Sequence, residues 1–77
     1  MTRLRLAAYR QMSRVAEVQG FRLVRREGSH ATFRNGEGRI VVIPDHGSRV
    51  IGRSLLRKII RDMGLGVEEY HDILDRL

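Results

Sequence analysis

A single histidine stands between two short apolar runs of the chain, in the sequence Gly28-Ser29-His30. Because an imidazole titrates near neutral pH, one histidine can take a proton from a nucleophile and later return a proton to a leaving group. Gly28 allows a close backbone approach to a ligand, and the Ser29 hydroxyl can donate a hydrogen bond. His30 is therefore the candidate catalytic residue, supported by Gly28 and Ser29, although a lone histidine at the start of a strand is more often structural.

A second histidine, His46, follows Pro44-Asp45 in a loop. Antiparallel strands bring alternate ends of a sheet together, so His46 is a candidate for a place beside His30 as a supporting residue. The alternative is a loop histidine that is bonded to local backbone. His71 is expected on the surface of the last helix.

The residues that commonly bind metals show no recognisable spacing. A site made of His30, His46 and Asp45 can be drawn, but its ligands are not spaced as on a zinc-binding helix or in a zinc knuckle. The chain has no cysteine, which excludes disulfides and thiolate metal sites. Gly36-Glu37-Gly38 opens no helix, so it is not a phosphate-binding glycine loop. We therefore expect no metal site and no cofactor.

The charge of the chain is high and unevenly distributed. The net charge is +6, and Lys58 is the single lysine among the 15 basic residues. Residues 1–61 hold 14 of the basic residues and four of the nine acidic ones. Arginine is well shaped for bidentate phosphate contacts, so this concentration of arginines indicates that the partner is a nucleic acid or another polyanion. The alternative is that the arginines only form solvated surfaces. If the polyanion is RNA, its own 2′-hydroxyl can serve as the nucleophile, and the chemistry then needs no protein nucleophile and no metal.

Several basic residues are placed to contact RNA. Arg53, Arg57 and Arg61 recur every four residues with Lys58 beside them, so they share one region of a predicted helix surface. The other basic residues expected to contact RNA lie on predicted strands and are Arg25, Arg26 and Arg34. The helix surface is equally typical of a solvated face. Aromatic residues make up only 5% of the chain, which argues against a protein that binds single strands by base stacking.

The hydrophobic pattern predicts three helices and three strands. The helices are expected at residues 10–19, 54–63 and 67–77, and the strands at residues 21–26, 30–34 and 39–43. Gly20 and Gly64 end the first two helices, and Ser54 is expected to cap the second. Asn35-Gly36 is a strong hairpin signal, and Pro44 ends the third strand.

This order of elements predicts an α+β fold. The α-β-β-β-α order, with a short additional C-terminal helix, packs most simply as a three-stranded antiparallel sheet with the helices on one face. Double-stranded RNA-binding domains have this architecture. We expect one such domain over residues 1–77, with Leu55 in the buried face of the second helix and the third strand central or covered on both faces. Whether the first helix begins nearer Leu4 is left open.

Three blocks of the sequence resemble those of HicA-type toxins, the small mRNA interferases of bacterial toxin–antitoxin pairs. They are GFRLVRREGSH at residues 20–30, VIPDHG at residues 42–47 and LLRKIIRDMGL at residues 55–65. The resemblance extends over about residues 11–70. Two departures are visible: Ala31 stands where many members have a second histidine, and Val50-Ile51 replaces an acidic residue that is common before the second helix.

The resemblance implies a fold like that of double-stranded RNA-binding domains and a ribonuclease activity on mRNA that needs neither metal nor ribosome. It also implies inhibition by a cognate HicB-type antitoxin, which binds the toxin and covers its active histidine. The family's catalytic histidine corresponds to His30 and its Gly-Ser pair to Gly28 and Ser29. The histidine after the family's proline corresponds to His46, to which no firm role is carried over.

Two alternatives to a toxin ribonuclease remain open at this point. One is a non-catalytic RNA-binding module that uses the basic surface of the second helix, and the other is an interaction protein whose basic surface serves an acidic partner. Basic residues interrupt the short apolar stretch at residues 1–8, which is unlike a signal peptide. No run approaches the roughly 18 apolar residues of a membrane span. We therefore expect a cytoplasmic protein with no membrane partner.

Overall fold

The structure is a computed structural model that describes residues 3–77. Met1 and Thr2, the first residues of the stretch judged unlike a signal peptide, lie outside this range. The elements in chain order are α1 (Tyr9–Val18), β1 (Arg22–Glu27), β2 (His30–Arg34), β3 (Ile40–Pro44), α2 (Arg53–Asp62) and α3 (Val67–Asp75). The strands form one antiparallel sheet in the order β1-β2-β3. The predicted α-β-β-β-α arrangement with an extra C-terminal helix is confirmed.

The two faces of the sheet have different surroundings. Ala31 and Phe33 of β2 point into the core, together with their register partners Ile43 and Val41 of β3. The alternate residues form the opposite face, which we call the outer face: Arg22, Arg25, Glu27, His30, Thr32, Arg34, Ile40 and Val42. No described helix covers this face, and Ile40 is 54% exposed on it.

The position of the third strand corrects one prediction from the sequence. β3 lies at an edge of the sheet, and β2 is the central strand. Val42 and Ile40 are exposed, so β3 is covered on one face only. A continuous apolar run was expected to be covered on both faces, but two of its members lie on the open outer face.

The helices pack on the inner face of the sheet through their apolar stripes. α1 buries Met12, Val15 and Ala16, and α2 buries Leu56, Ile59 and Ile60, all in the same core as Phe33. Gly20 and Gly64 have φ values of +88° and +82° just beyond the two helices, where glycine adopts the left-handed conformation at the lowest cost.

Two details of α2 differ from the sequence prediction. The helix begins one residue earlier than expected, with Gly52 as its N-cap residue and no side-chain hydrogen bond at the cap. Ser54 therefore lies inside the first turn and does not cap the helix. Leu55 is 44% exposed and not part of the buried face. The buried stripe instead consists of Leu56, Ile59 and Ile60, which recur at helical spacing.

The segment before α1 is extended and is held by both later helices. Its Leu4 is 2% exposed, and the Leu4 carbonyl accepts a 3.1 Å hydrogen bond from Nη1 of Arg53. The Ala7 carbonyl accepts a 2.9 Å bond from the backbone N–H of Ile51. The first helix thus begins at Tyr9 and does not reach Leu4, because these backbone groups bond to other elements.

α3 closes the core and binds the same N-terminal segment. The Tyr70 hydroxyl donates a 2.7 Å hydrogen bond to the Arg5 carbonyl, and the Arg5 guanidinium pairs with Asp75 at 2.7 Å. Burial raises the pKa of Tyr70 to about 12, although the positive charge of Arg5 acts in the opposite direction. His71, expected on the surface, is half-buried, and its Nε2 accepts a 3.0 Å bond from the Arg5 backbone N–H. Within the described part of the chain, no helix is long and apolar enough to cross a membrane.

Candidate functional site

His30 and His46 line the same cleft at one end of the sheet. The cleft lies between the end of β3, the loop that follows it and the start of α2. Its lining residues are His30, Pro44, His46, Arg49, Val50, Ile51, Gly52 and Leu55. Both histidines are exposed to solvent. The structure therefore brings together the candidate catalytic histidine and the loop histidine that the sequence placed conditionally beside it.

Backbone pairing places the two histidines at the same end of the sheet. His30 is the register partner of Pro44 in the β2–β3 ladder. One residue beyond this pair, the Asp45 backbone N–H donates a 2.6 Å bond to the Ser29 carbonyl oxygen. Gly28 takes a φ of +57° in the turn before Ser29, a conformation that residues with a Cβ atom rarely adopt. Gly28 and Ser29 thus form the turn that leads into His30, and this turn is bonded to the loop after β3.

Asp45 organises the loop but is occupied by other partners. Its Oδ1 accepts a 3.1 Å bond from the Gly47 backbone N–H, and its Oδ2 pairs with Nη1 of Arg26 at 3.1 Å. Arg26 also donates to the Tyr9 hydroxyl and lies over the Tyr9 ring at 5.3 Å from its centroid. Within residues 3–77, no group of three His, Cys, Asp or Glu side chains could hold a metal ion. The structure therefore does not bring His30, His46 and Asp45 together as a group of three ligands.

The N-terminus of α2 opens into the cleft. Gly52 and Leu55 line the cleft, no side chain caps the helix, and its first turn has no acidic residue. The first amide groups of a helix have no partner within it, and the helix dipole makes this end favourable for anions. Arg49 adds a guanidinium to the same cleft. The arrangement is suited to a phosphate group.

Sequence reasoning did not select Arg49, and it missed one acidic neighbour of His30. Glu27 is the register partner of His30 across the β1–β2 ladder, so both side chains lie on the outer face. The Glu27 carboxylate pairs with Arg25 at 2.7 Å. Both were detectable: Arg49 is the loop arginine after the third strand, and the two-residue turn Gly28-Ser29 makes Glu27 and His30 partners across the ladder.

The seven residues predicted to contact RNA divide into three locations. Arg25 and Arg34 lie on the outer face of the sheet, and Arg26 lies on the helix side with Tyr9. The others lie on α2, namely Arg53, Arg57, Lys58 and Arg61. The structure does not bring all seven together on one surface.

The residues predicted to contact RNA also differ in whether their charge is already paired. On α2, Arg53 bonds to the Leu4 carbonyl and Lys58 pairs with Asp62 at 2.7 Å. Arg57 and Arg61 are exposed, and their side chains have no hydrogen bond or ion pair with any residue between 3 and 77. The same is true of Arg34 on the sheet. These three guanidinium groups are open to an external anion.

The cleft can support acid–base chemistry on a phosphodiester. It combines two imidazoles, which can move protons, with a guanidinium and helix amides, which can stabilise negative charge on phosphate oxygens. The pairing of β2 with β3 and the packing of α2 against the hydrophobic core fix the relative positions of the elements that carry these groups.

Comparison with known proteins identifies the family. No individual curated protein sequence matches the chain. The model of the family described as the HicA toxin of bacterial toxin–antitoxin systems matches residues 9–65, which include β1 to β3, α2 and the whole lining of the cleft. Because this match covers most of the 77 residues, the chain belongs to the HicA toxin family of bacterial toxin–antitoxin pairs.

Proposed function

We propose that this toxin is an endoribonuclease that cleaves mRNA with His30 as its general acid and base, and that it requires neither a metal ion nor the ribosome. The observation that carries the proposal is the cleft in which His30, His46 and Arg49 meet the uncapped N-terminus of α2. Family membership supports a toxin, and the residues in this cleft support phosphodiester chemistry.

The proposed reaction uses only groups of the protein and of RNA. A ribose 2′-hydroxyl attacks the adjacent phosphorus while His30 accepts its proton. The bond from phosphorus to the 5′-oxygen then breaks, and the leaving oxygen takes a proton from an imidazole. The products are a 2′,3′-cyclic phosphate and a 5′-hydroxyl. Arg49 and the first amides of α2 stabilise the additional negative charge on the phosphorane oxygens.

The antitoxin is proposed to be of the HicB type and to inhibit the toxin by covering the cleft. A toxin of this family has a cognate antitoxin as partner. His30 is exposed, and the cleft carries two exposed apolar side chains, Val50 at 58% and Leu55 at 44%. Apolar side chains beside exposed charged ones are suited to a protein contact that also occludes the histidine.

Expression of His30→Ala beside the wild type tests the catalytic role. We expect the wild type to arrest growth and to cause decay of total mRNA, and we expect the variant to do neither at equal protein level. His71→Gln is the matched control, because His71 lies on α3 away from the cleft and glutamine retains a hydrogen-bond acceptor. Equal toxicity and equal RNA decay of His30→Ala and wild type would contradict the proposal.

A non-catalytic RNA-binding module is the second candidate function, and the unpaired guanidinium groups of Arg57 and Arg61 favour it. This candidate predicts salt-sensitive RNA affinity that His30→Ala leaves unchanged. It also predicts intact RNA after overnight incubation with the wild type. Co-purification with an acidic partner and no RNA affinity in either state would instead indicate a protein-interaction role.

A further inference from the structure

Two arginines face each other across the β1–β2 ladder without a carboxylate between them. Arg22 and Arg34 are register partners at the end of the ladder remote from His30. Both are exposed, and neither side chain has a hydrogen bond or an ion pair with any described residue. Like charges placed directly opposite each other destabilise a sheet. The third arginine of the outer face, Arg25, is by contrast paired with Glu27.

The two arginines also line the same shallow pocket. The pocket is lined by Arg22, Leu23, Val24, Arg34, Asn35 and Gly36. One side is shaped by the register shift after Leu23, and the other by the turn in which Asn35 Oδ1 accepts bonds from the backbone N–H groups of Glu37 and Arg39. The pocket is therefore bordered by the irregularity in β1 and by the turn after β2 as well as by the two arginines.

This pocket lies on the same face of the sheet as the candidate catalytic histidine. The alternation of side chains along β2 places His30, Thr32 and Arg34 on the outer face. Arg34 is four residue steps from His30 along β2, which corresponds to about 13 Å. A chain of phosphates that passes through the cleft at His30 and follows β2 would reach Arg34 within a few nucleotides.

We propose that the Arg22–Arg34 pair binds a backbone phosphate of the RNA strand that is cleaved at His30, and this proposal rests on the proposed function. Paired guanidinium groups match the geometry of phosphate oxygens, and a bound phosphate relieves their mutual repulsion. The alignment with His30 favours a regularly spaced polyanion over an acidic protein segment. The outer face of the sheet is then the path of the substrate.

The test uses RNA oligonucleotides in which one phosphate at a time is replaced by a neutral methylphosphonate. Binding is measured on full-length His30→Ala, so that the RNA stays intact, and again on this protein with Arg22→Ala and Arg34→Ala added. We expect one methylphosphonate position to weaken binding about tenfold in the first protein and to have no effect in the second. For single-stranded RNA, each lost phosphate contact should also reduce the slope of log K against log salt by about 0.7.

Arg14→Ala on the His30→Ala background is the matched control, because Arg14 is exposed on α1, on the helix side of the sheet. It should leave the methylphosphonate pattern unchanged. The Arg22 and Arg34 variants should unfold at the same or a higher temperature, since they remove a repulsion. An unchanged pattern in the double arginine variant would overturn the proposal, and so would lost affinity for the antitoxin without lost affinity for RNA. Since binding is read on a protein that does not cleave, absence of cleavage by the wild type would count against the proposed function and not against this site.

Discussion

The backbone N–H of Asp45 donates a 2.6 Å hydrogen bond to the carbonyl oxygen of Ser29. This bond extends the β2–β3 pairing by one step beyond the register pair of His30 and Pro44. It joins the turn that precedes His30 to the loop that carries His46. The relative position of the two imidazoles therefore depends on backbone contacts and not on a direct bond between the side chains.

Loss of the second imidazole should reduce cleavage less than loss of the first. We expect His46→Ala to lower the single-turnover rate at saturating RNA by about 10- to 100-fold, because its cleft position suits it to assist phosphate binding or proton return. His30→Ala should lose about 10²- to 10⁴-fold or more. A His46→Ala rate equal to that of the wild type would remove His46 from the site.

The charge of Arg57 should contribute to RNA binding more than that of its neighbour Lys58. The Arg57 side chain has no partner among the described residues, whereas Lys58 already pairs with Asp62. We expect Arg57→Ala to reduce the slope of log K against log salt by about 0.7 for single-stranded RNA, and Lys58→Ala to change it less. The measurement is a salt titration of binding on the His30→Ala background. Equal slopes for Arg57→Ala and its parent would exclude a phosphate contact at this position.

Arg53 and Arg57 stand one turn apart on α2 but should differ in their effect on stability. The Arg53 guanidinium bonds to the carbonyl of the buried Leu4, so Arg53→Ala should lower the free energy of unfolding by about 1 kcal/mol. Arg57→Ala should change it by less than about 0.5 kcal/mol. Urea denaturation of the two variants provides the comparison. If both variants have the stability of the wild type, the N-terminal segment does not depend on this bond.

Tyr70 should make the fold sensitive to alkaline pH. Its ordinary pKa is 10.0, and burial raises the pKa in the folded state to about 12. Between these values the unfolded chain has released the proton while the folded chain retains it, so stability is complete below pH 10 and falls as the pH rises towards 12. We expect the wild type to lose about 2 kcal/mol over this range.

The matched variant for this test is Tyr70→Phe. Phenylalanine cannot donate to the Arg5 carbonyl, so the variant should be less stable at neutral pH by about 1 kcal/mol. Its unfolding free energy should nevertheless decline less steeply above pH 10 than that of the wild type. Parallel curves for the two proteins would show that the alkaline loss arises from other groups.

The sequence predicted most elements because their signals are local. The helical spacing of Met12, Val15 and Ala16 and the terminating Gly20 identified α1, and the Asn35-Gly36 pair identified the β2–β3 hairpin. The proximity of His46 to His30 followed from the antiparallel pairing of β2 and β3. These features need only the period of each element and the chemistry of its turns.

The errors concern contacts between elements that are distant in the chain. An apolar run does not indicate whether both of its faces are covered, so the prediction that β3 is central or covered on both faces was wrong. Leu55 was assigned to the core because it stands at helical spacing from Ile59, but it is exposed and lines the cleft. The Arg22–Arg34 pair depends on the register of β1, which shifts between Leu23 and Arg25. A shift of one residue in a strand changes the face of every side chain beyond it.

The central claim is tested most directly by single-turnover cleavage of a defined RNA by purified protein. Three reactions are compared: wild type with RNA, His30→Ala with the same RNA, and wild type with RNA whose 2′-hydroxyls are methylated. Binding of the protein to the RNA in each of these three combinations, or pairs, is measured in parallel. We predict that all three pairs bind, that only the first yields products, and that these carry 2′,3′-cyclic phosphate and 5′-hydroxyl ends. Cleavage by His30→Ala at the wild-type rate would contradict the account.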